Sequence, residues 1–132
     1  METKEKVDYW LNNAKDDIDS AKIMYNGKKY LYTGFMLQQC VEKALKAYYI
    51  YKKDDQHPYT HNLIKLALSS EINLLMTEEQ LKLLSNLNPI YIESRYEDYK
   101  NKIKDILTEE YCLNLIEETE LLYLWIEELI QY

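Results

Sequence analysis

Residues 37–51 read LQQCVEKALKAYYIY. Leu37, Cys40, Val41, Ala44, Leu45 and Tyr48 recur at the i, i+3, i+4 spacing of a helix that buries one side. Gln38, Gln39, Glu42, Lys43 and Lys46 interrupt that run within the same segment. A buried amide or charge is costly unless it is partnered. The segment therefore predicts a core helix whose polar groups either reach solvent or gather at a site.

The rest of the chain supports helix throughout. Two glycines and two prolines in 132 residues leave little material for the tight turns of a β fold. A first helix is predicted over about 3–25, with Val7, Trp10, Leu11, Ala14, Ile18, Ala21 and Met24 on one stripe and Gly27 ending it in the left-handed conformation. The second covers about 30–53. Pro58 stops helix in the following loop, and Thr60 is the expected cap of a short third helix carrying Leu63, Leu66 and Ala67. TEEQ at 77–80 has the form of a capping box, and Leu81, Leu84 and Leu87 follow it. Asn88 and Pro89 fit a cap and first position, which predicts a kink or restart there. Thr108 caps a last helix running to about 131. The expectation is an all-α, up-and-down antiparallel bundle of about five helices, one domain over 1–132.

The last helix carries more apolar surface than one core face needs. Cys112, Leu115, Ile116, Leu122, Tyr123, Ile126, Leu129 and Ile130 form a stripe, and Leu121, Leu124 and Trp125 lie outside it. A second copy of the chain would cover the surplus, which predicts a homodimer. The fourteen tyrosines read first as boundary residues with the ring in the core and the hydroxyl in water, base stacking being the alternative. Cys40 and Cys112 both fall on apolar helix sides, as reduced buried cysteines do. The start METKEK has no apolar leader, and the longest apolar run, LLYLWI at 121–126, falls short of the ~20 residues of a membrane span. A soluble cytoplasmic protein without membrane partners is expected.

Charge is divided along the chain. Residues 1–66 hold 11 lysines against 9 acids, whereas 67–132 hold 5 basic residues against 14 acids, within a net charge of −7. Avid nonspecific nucleic-acid binding needs broader basic surface than this. A local patch of Lys28, Lys29, Lys43, Lys46, Lys52, Lys53 and Lys65 would still meet phosphates, unless ion pairs such as Glu42 with Lys46 absorb it. There is no glycine-rich phosphate loop and no zinc-ligand spacing. No metal or cofactor is predicted. What remains is one polar constellation: Gln38 to Lys46, THNL at 60–63 and SRYED at 94–98.

GFMLQQCVEKALKAYYIY at 34–51, THNL at 60–63 and RYED at 95–98, behind a first helix with an early Trp10, together resemble the HEPN domain over essentially the whole chain. Typical members carry THDL and RYPD, so Asn62 and Glu97 are mild departures. The resemblance implies an up-and-down α bundle, usually dimeric. It also implies a frequent partner, a minimal nucleotidyltransferase (MNT) encoded alongside, in pairs that behave as toxin and antitoxin. Many members are metal-independent ribonucleases whose motif is an Arg followed after four to six residues by a His. Here the one arginine is Arg95, and the positions for that histidine hold Lys100, Asn101 and Lys102.

Within that frame Gln39 and Lys43, four apart, share a helix face. Meeting His61 and Arg95 across the bundle, they would form a nucleotide or phosphate pocket. The structural alternative has Arg95 capping carbonyls or pairing with Glu42 or Asp98, and His61 orienting a loop. The favoured expectation is a nucleotide-binding module acting with an MNT partner, with Tyr96 or Tyr99 as acceptor of a transferred nucleotide. The second is an RNA-cleaving toxin using Arg95 and His61 as atypical catalytic residues. The third is a purely structural dimer.

Overall fold

The computed structural model describes residues 2–54, 56–93 and 97–132, with side chains described outside 92–99. Among these residues there are six α-helices, one 3₁₀ turn and no strand. In chain order they are α1 (Thr3–Asn26), α2 (Tyr30–Lys53), α3 (Leu63–Ser70), the 3₁₀ turn (Ile72–Leu74), α4 (Glu78–Glu93), α5 (Glu97–Ile106) and α6 (Glu109–Leu129). The helices form the expected antiparallel bundle.

Helix α2 is its axis. Its apolar positions are almost fully buried from Leu37 to Ile50, because α1, α6, α3 and α4 all pack against it. The α1 stripe from Val7 to Ala21 and the α6 stripe from Cys112 to Ile126 close the core. Gly34 marks the tightest approach. A Cβ there would lie 2.9 Å from Leu107 Cδ1 and 3.4 Å from Ile90 Cδ1, so the small residue lets the segments around α4 and α5 sit against α2. Tyr123 Oη donates to the Leu11 carbonyl at 3.3 Å, linking α6 to α1.

Several local signals hold and three are corrected. The capping box forms reciprocally: Thr77 Oγ1 accepts from Gln80 N at 3.1 Å, and Gln80 Oε1 accepts from Thr77 N at 2.9 Å. Thr108 Oγ1 accepts from Tyr111 N at 3.2 Å. The α1–α2 turn places Lys28, not Gly27, in the left-handed region, with φ of 60° against −83°. The α3 cap is Asn62, whose Oδ1 accepts from Ile64 N and Lys65 N, while Thr60 Oγ1 accepts from Asn62 N. Helix α4 runs through Pro89 without restarting. Proline removes the bond to the Ser85 carbonyl, but Ser85 is exposed, so water can take that place. Asn88 is no cap either. Its Oδ1 accepts from Leu63 N at 2.8 Å and its amide donates to Asn62 Oδ1 at 3.2 Å, tying α4 to the start of α3.

Both cysteines are buried free thiols, and burial pushes Cys112 up to about 11. No described helix is long and apolar enough to cross a membrane.

Candidate functional site

The polar groups that interrupt the quoted segment are resolved by helix phase. Gln38, Glu42 and Lys46 are spaced by four and form one column along α2. That column is buried, at 0 %, 2 % and 7 % exposure. Its centre is the Glu42 carboxylate, which accepts from Lys46 Nζ at 2.8 Å, from His61 Nδ1 at 3.0 and 3.1 Å, and from Gln38 Nε2 at 3.4 Å. Gln38 Nε2 also donates to the His61 carbonyl at 3.2 Å. The Lys46 ammonium lies 5.3 Å over the Trp10 ring, so α1 closes the far end with a cation–π contact. A charge pair taken out of water survives when each member has such partners.

His61 is held from two sides. The loop after Pro58 and the Asn62 cap fix its backbone at the entrance to α3. Its ring stacks on Tyr91 at 4.2 Å and 27°, and Tyr91 stacks in turn near Phe35 at 6.0 Å. A carboxylate only accepts, so the nitrogen facing Glu42 carries the hydrogen, and Nε2 is the nitrogen able to take up a proton. The imidazole side chain is 45 % exposed. The arrangement is a surface histidine oriented by a buried carboxylate beside an aromatic platform.

The sequence-expected residues are distributed as follows. His61 occupies the centre of the site. Gln39 is half-buried at its edge, and its amide donates to Gln38 Oε1 at 2.7 Å. Lys43 is turned away from His61 to α1, where it pairs with Asp17 at 2.9 Å. One residue along a helix is a rotation of roughly 100°, and that step separates the Gln39–Lys43 face from the Gln38–Glu42–Lys46 face that meets His61. Arg95 and Tyr96 lie outside the described residues, as does the Tyr99 side chain. The seven-lysine patch is divided: Lys43, Lys46 and Lys53 are in ion pairs with Asp17, Glu42 and Glu71. The Glu42–Lys46 pair expected from i, i+4 spacing is present. Tyr91, the stacking partner, has no signal in the sequence beyond its helical position.

Asp17 is the other buried carboxylate of note. Burial holds its carboxyl above the usual range, and the Lys43 ammonium offsets that in part.

The comparisons agree with this architecture. The crystal structure of TT1696 from Thermus thermophilus superposes with a TM-score of 0.78 at 19% identity, covering 93% of this chain and 97% of that one. At that identity it is a likeness of fold. No curated protein matches significantly. The HEPN domain family model matches residues 7–129, which takes in the buried α2 column, the His61 loop and the α6 stripe as far as Leu129. The chain belongs to the HEPN domain family.

Proposed function

We propose that this HEPN protein is a nucleotide-binding module that acts with an MNT-type nucleotidyltransferase in a toxin–antitoxin-like pair, as a homodimer. The observation that carries the reading is the oriented His61, a half-exposed imidazole fixed by buried Glu42 and stacked on Tyr91, which precedes the sole arginine by four residues. Such a site offers a hydrogen-bonding group and an aromatic surface to a nucleotide. Arg95 is the phosphate-binding group in this reading, Gln39 supplies an edge amide, and Tyr96 or Tyr99 receives the transferred nucleotide. Lys43, engaged with Asp17, contributes positive charge rather than direct contact.

Calorimetric titration with ATP tests it. Wild type binds, and His61→Ala and Arg95→Ala each weaken binding about tenfold or more, the scale of one charged hydrogen bond. The modification is tested by intact-mass spectrometry after incubation with the neighbouring transferase and ATP. A mass gain lost in a Tyr96→Phe/Tyr99→Phe variant is expected, and no gain removes that part of the proposal.

The Glu42–His61 geometry also favours a second reading, an atypical metal-independent endoribonuclease. Glu42 holds Nδ1, leaving Nε2 to act as the base that the missing motif histidine would supply, with Arg95 on the phosphate. Purified wild type would then cut RNA, and Arg95→Ala and His61→Ala would not. Equal cutting by all three discards it. Absence of both cutting and any nucleotide-dependent shift in Tm leaves the purely structural dimer.

A further inference from the structure

Among the described residues, six lysines hold a carboxylate partner: Lys4, Lys15, Lys22, Lys43, Lys46 and Lys53. Lys28, Lys29 and Lys104 make no ion pair among the described residues, and the fold brings all three to one hollow of about 370 Å³ together with Tyr30 and Tyr32. The convergence is tertiary. Lys28 and Lys29 sit in the α1–α2 turn, and Lys104 arrives from the end of α5, whose neighbour Leu107 packs against Gly34 of α2.

Like charges drawn together repel, and a bound anion relieves that repulsion. The chain as a whole is acidic, at −7, so this local concentration runs against the average. Leu31 and Leu107 are buried beneath it, while Tyr32 keeps 53 % of its surface exposed at the rim. The acidic edge is Glu109, close enough to be felt by the Tyr30 phenol, and Asp105 follows Lys104 in the chain. A hollow of this size suits a small ligand. It is also separate from His61: Lys29 precedes Glu42 on the α2 axis by 13 positions, which is roughly 20 Å of helix.

We propose that this hollow is a second anion site that takes the phosphates of a nucleotide, with Lys28, Lys29 and Lys104 as the cationic contacts and the Tyr32 ring as the stacking surface for the base. The phosphates are held as oxyanions by ammonium groups. The ring adds a sequence-tolerant contact that phosphate alone does not use. The site stands independently of the His61 reading.

The test is calorimetric titration with tripolyphosphate, ATP and a short single-stranded RNA at low salt, where exposed charges are least screened. The triple variant Lys28→Gln/Lys29→Gln/Lys104→Gln is compared with a variant of equal charge, Lys6→Gln/Lys52→Gln/Lys82→Gln. All six side chains are exposed, and unchanged Tm and circular dichroism verify that both variants fold. The expected result, in the first variant only, is a loss of about tenfold or more for tripolyphosphate and for the ATP binding that survives His61→Ala. Tyr32→Ala weakens ATP but not tripolyphosphate, Glu109→Gln tightens both, and His61→Ala leaves tripolyphosphate unchanged. A loss confined to RNA overturns the nucleotide site and assigns the lysines to a nucleic-acid backbone instead. Equal loss in the two triple variants, no binding by wild type, or tripolyphosphate binding that depends on His61 instead overturns the proposal.

Discussion

Glu42 carries the largest electrostatic obligation of any residue described, since Lys46, His61 and Gln38 all turn donors toward it. Removing it alone leaves the Lys46 ammonium, 7 % exposed, without its counter-charge. Glu42→Ala should therefore lower the urea-unfolding free energy by about 3–5 kcal/mol, while Glu42→Leu/Lys46→Met, which removes both charges and keeps volume, should cost far less. A double-mutant cycle in which the paired change costs as much as the single one would contradict this account. Asp17 is set by desolvation, which outweighs its partner Lys43 and raises its carboxyl above the ordinary value of 3.8. Its folded value exceeds its unfolded one, so the group contributes stability that is full below about 3.8 and is lost as the pH rises through the raised value. Thermal melts from about pH 3 to about pH 6 should accordingly show Asp17→Asn gaining on wild type with rising pH. The opposite slope would mean that the ion pair dominates.

Among the elements, the start of α3 is where local signal and tertiary demand diverge. Thr60 and Asn62 are both good cap residues, and the chain uses both, Thr60 to hold the Asn62 amide and Asn62 to cap the helix. Asn62 additionally receives the Asn88 amide from α4. Asn62→Ala should cost about 1–2 kcal/mol and Thr60→Ala no more than about half as much, read from denaturant midpoints at unchanged slope. A larger effect at Thr60 would return the cap to that residue. Helix α4 shows the same override. Asn88 and Pro89 spell a helix start, yet the Asn88 side chain is recruited across to Leu63 N, and the helix, packed against α2 and α3, passes through the proline.

On the scale of the whole molecule, α6 presents Leu113, Leu121 and Leu124 to solvent at 42 %, 69 % and 48 % exposure, while Trp125 packs against the core. These leucines are the surface through which the proposed dimer would form, and Glu117, Glu118 and Glu128 lie exposed around them. Leu121→Glu/Leu124→Glu should convert a dimer to a folded monomer by light scattering after size exclusion. Raising salt should tighten the wild-type dimer by screening the facing acids. A wild-type monomer at all concentrations would end the idea. Reading along the chain was enough for an all-helical bundle, though of about five helices rather than the six found among the described residues, and for the capping box at Thr77, the Thr108 cap, the buried face of α2 and the family, because each of these depends on residues a few positions apart and on the 3.6-residue period. Which polar side chains of α2 meet His61 was settled only by packing. Gln38 and Gln39 are equally placed in a sequence, and the choice between their faces was made by Asp17 drawing Lys43 to α1 and by the loop carrying His61 to Glu42. The convergence of Lys104 on Lys28 and Lys29 is of the same kind, for charges more than seventy residues apart become neighbours only when the core between them closes.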